Sequence, residues 1–319
     1  MALPEFVHGG MRILGESYAG VESVVLVPDL NLAFDFGRSP RELVPIDNVF
    51  LSHGHMDHAA GLAYYCAQRF FMDMTPGSVF VPHELLGACR ELLGVWAKID
   101  GNEPPARLMP ARAGEDISVR RNLIVRPFAV NHPCRRRNGP TVQSLGYAAV
   151  EVRQKIRPEY AGLNSQQIVE LKRQGVEITR RIEMPLIAYC GDSAPGEFFA
   201  LPHVRDASVL VMECTFLEPE HLDRAQAGGH THVSQLPAIL RELRNERILL
   251  THLSRRTAIR DAKRLLRTAI GDELGTRVFL LMEGRRRRPQ SVIPGASGSA
   301  PTQGGDPDAA READAETDD

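Results

Sequence analysis

The chain has 319 residues, of which 43% are hydrophobic and 24% charged, the balance of an ordinary folded domain. No run approaches the roughly 18 uninterrupted apolar residues of a membrane-spanning helix, and the opening MALPEFVHGGMRILGES has no basic stretch leading into an apolar one, so a cytoplasmic protein without a membrane partner is expected. Net charge is −2; seven acidic residues and one Arg from Ser291 onward contribute −6, leaving the first 290 residues at +4, which weakly favours an anionic substrate.

In chain order, SVVLVPD, LNLAFDF and NVFLSH read as strands, and AAGLAYYCAQRFF as a helix with apolar residues recurring on one side. SVFVP is a strand and ELLGACRELLGVWAKI a helix. LIVRPFAV, SLGYAAVEV, PLIAYCGD and SVLVMEC are apolar or β-branched runs bounded by turn residues, hence strands. SQLPAILREL, RILLTHLS, TAIRDAKRLLRTAI and RVFLLM close the series as helix, strand, helix, strand. Strands with interleaved and late helices fit helices covering a packed pair of sheets in one α/β domain over residues 1–288. From about Pro289 the chain is Gly/Ala/Ser/Pro-rich and then acidic, which predicts a disordered acidic tail over 289–319. The basic run Arg285–Arg288 before it reads as a solvated patch, with nucleic-acid contact as the alternative. Cys66, Cys89, Cys134, Cys190 and Cys214 are odd in number and form no CxxC pattern, so they read as small buried hydrophobes.

The chemistry concentrates after the strand NVFLS. His53, His55, Asp57 and His58 lie within six residues, with a helix expected to begin near Ala59. Two histidines two apart in extended backbone point the same way, and imidazole nitrogen and carboxylate oxygen are good zinc donors. Four such groups exceed what one tetrahedral ion takes from one segment, so they suit two ions completed from elsewhere. His132, Asp192 and His252 each follow an apolar run, the position where active-site groups collect in sheet proteins, and Gly191 permits a tight turn before Asp192.

The order HxHxDH, His, Asp, His over residues 15 to 285 resembles the metallo-β-lactamase superfamily, and within it the RNase Z-like branch. LAFDFG with Asp35, SLGY after the His132 loop, ECTF at Glu213–Phe216, GHTH at Gly229–His232 and THLSRR at Thr251–Arg256 add to the likeness. The resemblance implies a four-layer αββα sandwich. It implies two zinc ions, with manganese or iron as alternatives: one held by His53, His55 and His132, the other by Asp57, His58 and His252, with Asp192 bridging. Asp35 would support the metal loop. Two such ions, about 3.5–4 Å apart, share a water and lower its pKa toward 7, so that hydroxide attacks phosphorus. Asp57 would orient or deprotonate the nucleophile. His230, held by Glu213, would serve the leaving oxygen.

Arg135 and Arg136, in the CRRRNGP stretch after His132, and Ser254 and Arg256, after His252, are candidates for phosphate contacts, because guanidinium forks match phosphate oxygens. A solvated loop is the plainer reading of the arginines. His83, His203 and His221 read as ordinary surface or core residues, and His232 has no assigned role. The interval Glu151–Ile187 carries a short basic helix-like stretch where RNase Z enzymes insert a long Gly-Pro arm. The expected function is a phosphodiesterase or endoribonuclease, with tRNA 3′-end processing as its most specific form and an RNA, such as a tRNA precursor, as partner. A homodimer is expected by resemblance. Hydrolysis of a small phosphodiester or a (thio)ester, and a non-catalytic nucleic-acid or partner-binding member, are the alternatives.

Overall fold

The computed structural model describes residues 2–135, 141–283 and 285–286, all within one compact unit. Arg136, the Arg135 side chain and the expected tail over 289–319 lie outside the described residues. The fold is α/β, two sheets with flanking helices. Its strands are β1 (Pro4–His8), β2 (Met11–Tyr18), β3 (Glu22–Val27), β4 (Leu32–Phe34), β5 (Asn48–Phe50), β6 (Ser78–Pro82), β7 (Arg107–Ala111), β8 (Ile117–Arg120), β9 (Leu123–Arg135), β10 (Thr141–Ile156), β11 (Thr179–Tyr189), β12 (Val209–Glu213), β13 (Arg247–Thr251), β14 (Val278–Leu280) and β15 (Arg285–Arg286). One sheet runs β15-β1-β2-β3-β4-β5-β6-β7 and the other β14-β13-β12-β11-β10-β9-β8.

The central strands are buried on both faces, which is why they read as continuous apolar runs. In β3 and β4, Val25, Val27, Leu32 and Phe34 face the opposite sheet, while Val24, Leu26 and Ala33 face the outer helices. Helix α1 (Met56–Ala59) and helix α2 (Leu62–Phe71) lie on that outer side, α2 burying Leu62, Tyr65, Cys66 and Arg69 at helical spacing. The expected single helix from Ala59 is therefore two, broken around Ala60–Gly61, and the first turn begins early enough to include Asp57 and His58. Helix α3 (Leu86–Asp100) follows β6.

Aromatic rings join the two sheets. Phe34 stacks on Tyr189 with centroids 5.1 Å apart and Phe50 meets Tyr147 at 5.2 Å, while Phe50 stacks on its sheet neighbour Phe80 at 4.7 Å. Each buried ring contributes about 1.5–3 kcal/mol. The Tyr147 hydroxyl donates to the Leu51 carbonyl at 2.6 Å, so the sheet-to-sheet contact also fixes the backbone just before the histidine run.

Strands β10 and β11 run longer than the apolar pattern indicates. They continue as an antiparallel ribbon to the pair Ile156–Thr179, and helix α4 (Ser165–Arg173) lies in the connection, capped by Asn164 and Gln167. The short helix expected in this interval is α4, and the ribbon flanks it on both sides. Helix α5 (Pro202–Arg205), helix α6 (Leu222–Gly228), helix α7 (Leu236–Glu242) and helix α8 (Ile259–Ile270) complete the domain, α8 burying Ala262, Leu266 and Ile270 four apart. Among the described residues, no helix is long and apolar enough to cross a membrane.

Candidate metal centre

Strands β4 and β5 are parallel, as are β11, β12 and β13, so their carboxyl ends reach one edge. Polar residues collect there because the apolar strands stop. Asp35 follows β4, the 53–58 run follows β5, Asp192 follows β11, Glu213 ends β12 and His252 follows β13. His132 lies within β9, where the pairing with β10 slips between Gln143 and Leu145. Such an irregularity re-aims a strand residue.

All seven residues read as ligands meet at this edge. His53, His55, His132 and Asp192 form one group and Asp57, His58 and His252 another, the donor atoms of each lying within 4.8 Å of one another. Nε2 of His53 is 2.9 Å from Nδ1 of His55, which is 3.2 Å from Nε2 of His132. Asp192 stands between the groups: Oδ2 is 3.2 Å from Nε2 of His252 and 3.8 Å from Nε2 of His53, and Oδ1 is 3.3 Å from Nε2 of His58.

The donor set fits a metal. Nε2 of His58 and Oδ1 of Asp192 are buried and make no hydrogen bond, a costly arrangement unless a cation takes them. Burial holds His53, His55 and His132 below the ordinary imidazole pKa, which keeps lone pairs free for coordination. Burial opposes charge on Asp57 too, but His252 and His58 hold its carboxyl down at about 2.

Behind these groups stands a second set of contacts. Nδ1 of His58 is 2.7 Å from Oδ2 of Asp35, which also accepts from the Ser52 and Tyr189 hydroxyls at 2.8 and 2.6 Å. Nδ1 of His132 meets the Gly229 carbonyl at 3.2 Å. Only glycine suits that position: its φ is +67°, and a Cβ would lie 2.4 Å from Cδ of Pro133. Nδ1 of His252 is 2.9 Å from the Thr215 hydroxyl, which donates to Oε2 of Glu213 at 2.5 Å. His252 itself adopts a left-handed backbone, φ +56°, and its N–H donates to Ser17. These contacts fix which imidazole nitrogen faces inward.

Glu213 also accepts from Nδ1 of His230 at 2.7 Å. Burial disfavours the imidazolium of His230, but Glu213 raises its pKa to about 9. Its ring stacks on His252 with centroids 5.3 Å apart, and its donor atom groups with those of Asp192 and His252.

Ser52, Tyr189, Thr215, Gly229 and Gly20, whose N–H donates to Oδ2 of Asp57 at 2.8 Å, were not singled out by sequence reasoning. A backbone group leaves no residue-type signal, although Thr215 sits inside the ECTF motif. Ser254 and Arg256 lie on the loop after His252, where the Ser254 hydroxyl accepts from the Arg256 N–H at 3.3 Å. His232 starts a short 3₁₀ turn, bonding Ser234 and the Glu218 carbonyl. His221 bonds Glu218, and all five cysteines are free and buried.

Comparison with known proteins places this centre in context. The profile of the beta-lactamase superfamily domain matches residues 25–162. Among curated proteins, tRNase Z TRZ1 of Arabidopsis thaliana is 34% identical over 279 residues, covering 86% of this chain and 96% of the relative. The chain belongs to the tRNase Z family. A second tRNase Z of the same plant, the chloroplastic TRZ2, is 35% identical over 280 residues, covering 86% of this chain and 76% of the relative. The fold is shared with the short form of human tRNase Z, at a TM-score of 0.53 and 18% identity, with 76% of this chain and 92% of that one covered. It is shared too with the metallo-beta-lactamase fold protein YhfI from Bacillus subtilis, at a TM-score of 0.56 and 15% identity, covering 85% of this chain and 95% of that one. This tRNase Z family member is a metal-dependent hydrolase acting on phosphodiester bonds.

Proposed function

We propose that this protein is a two-zinc endoribonuclease that cleaves the 3′ side of tRNA precursors. The observation that carries the reading is the His230–Glu213 pair, 2.7 Å apart, set against the seven converging donors. His53, His55 and His132 would hold one ion and Asp57, His58 and His252 the other, with Asp192 between the two groups. Imidazole nitrogens with a few carboxylates suit zinc, and manganese or iron less well. Bound ions supply Lewis-acid stabilisation to phosphoryl oxygens and lower the pKa of a water.

The chain's own groups do the rest. Asp57, steadied by the Gly20 N–H, takes the proton of the attacking water. His230 gives a proton to the departing ribose oxygen, and Glu213 fixes its tautomer. Ser254 and Arg256 receive flanking phosphates, as do Arg135 and Arg136. The RNA relatives' names favour an RNA substrate over a small phosphodiester or thioester. A cytoplasmic homodimer is the working form we infer.

Incubating the zinc-loaded protein with a tRNA precursor carrying a 3′ trailer, bis-p-nitrophenyl phosphate and an acyl thioester tests this. Cleavage of the precursor at one junction, lost in Asp57→Ala, is expected. Thioester turnover without phosphodiester cleavage would reject it.

A further inference from the structure

Beside the metal centre lies an open pocket of about 410 Å³ whose walls come from four separate segments. Ala19 belongs to the β2–β3 turn, Thr215 and Phe216 follow β12, Arg224 lies on α6, and Ser254, Arg255 and Arg256 follow β13. Two walls are continuous with the centre. Thr215 contacts Nδ1 of His252 at 2.9 Å, and the Phe216 ring lies 6.0 Å from the His230 ring, edge on. Among the described residues, none of the guanidinium groups of Arg224, Arg255 and Arg256 is hydrogen-bonded or paired to a carboxylate. Three unneutralised guanidinium groups around one small pocket make it attractive to an anion.

We infer that this pocket is a nucleotide subsite, with Arg224 and Arg255 receiving a phosphate and Phe216 offering its ring to a base. The inference rests on the proposed endoribonuclease reading and adds where the residue next to the cut bond would sit. The chemistry supports both halves. Guanidinium forks bind phosphate oxygens bidentately, and aromatic faces stack any base with little sequence preference. The ring is already held in place, by edge contacts to His221 at 5.8 Å and to His230, so little side-chain freedom is lost on stacking.

Calorimetry on the metal-loaded full chain tests the inference with adenosine 5′-monophosphate and ribose 5-phosphate, neither of which has a phosphodiester to cut. Wild type is expected to bind the nucleotide at least fivefold more tightly than the sugar phosphate. Phe216→Leu removes that difference, and Arg224→Ala or Arg255→Ala weakens both ligands at least fivefold. Arg260→Ala, an exposed charge on α8 that does not line the pocket, serves as control and leaves both affinities at the wild-type value. With a hexaribonucleotide, Arg224→Ala should lower the ratio of kcat/KM for RNA to that for bis-p-nitrophenyl phosphate, and lower the salt dependence of KM by about 0.7 in log–log slope. Equal losses in Arg224→Ala and Arg260→Ala, or none in either Arg224→Ala or Phe216→Leu, would overturn the subsite. RNA cleavage that is indifferent to Arg224 removes the subsite and leaves the endoribonuclease reading standing. Nucleotide binding that depends on Arg224 in a chain that cuts no phosphodiester does the reverse.

Discussion

Oδ2 of Asp35 lies 2.7 Å from Nδ1 of His58, in a carboxylate with no solvent exposure. The other oxygen accepts from the Ser52 N–H at 2.7 Å. One buried side chain therefore orients a metal-edge imidazole and ties down the strand end before His53. Asp35→Ala leaves several buried donors without an acceptor, at about 1–3 kcal/mol for each that stays unsatisfied. The expected outcome is a lower Tm together with a 10- to 100-fold loss of metal affinity, read by thermal melts and zinc titration on the same preparation. A fall in Tm with unchanged zinc affinity would assign Asp35 to stability alone.

Glu213 reaches both His230 directly and His252 through Thr215. Residues in one network lose energy non-additively. His230→Ala is expected to lower kcat by about 10²–10⁴-fold with little change in KM. Glu213→Gln should lower kcat less than His230→Ala, and the double variant should fall no lower than the worse single one. Steady-state kinetics on a cleavable RNA checks this; independent, multiplying losses would separate the two residues.

Away from the site, Arg126 bridges two carboxylates, contacting Asp116 at 2.7 Å and Glu183 at 2.9 Å. Hydrogen bonds from Arg126 lower the pKa of both acids. The unfolded chain then binds more protons as pH falls, so their contribution is complete above about pH 4.5 and is lost as pH drops through the depressed folded values. Solvent screening limits it to about 1 kcal/mol. Arg126→Met should flatten the acid limb of the Tm-versus-pH curve; an unchanged limb in melts between pH 3 and 6 would contradict this.

Arg69 is buried on α2 and donates to the carbonyls of Val44, Ile46 and Thr75 as well as to Asp47 at 2.6 Å. It closes the loop that carries the chain from β4 to β5 and so supports the 53–58 segment from behind. Arg69→Met keeps the aliphatic stem but leaves the Val44 and Thr75 carbonyls without this donor, at roughly 3 kcal/mol. Thermal denaturation should show Tm falling by roughly 5 °C or more.

Much of this was legible before any coordinates, for a physical reason. A strand buried on both faces reads as an apolar run, and the polar residue after it marks the sheet edge, which is how Asp192 and His252 stood out; His132 was read the same way, although β9 runs on through it. The HxHxDH spacing carried its own chemistry. The edge strands β7 and β8 did not show, whereas β14, also at an edge, did. β7 has a proline and exposed positions, and β8 alternates without a strong apolar face, so neither departs from a loop pattern. The β10–β11 ribbon is held by backbone hydrogen bonds between exposed residues, and those leave no trace in hydrophobicity. Phe216 follows β12 and Arg224 lies on α6 eight residues later, and only the folded chain brings both beside the loop after His252.

The central claim is a paired cation centre made by seven side chains. Metal analysis by inductively coupled plasma mass spectrometry, on the chain reconstituted with zinc and freed of excess ion, tests it directly. Two zincs per wild-type chain, with Asp192→Ala losing both or falling below one, is the predicted result. A wild-type chain that retains no zinc, or an Asp192→Ala chain that retains two, would contradict it.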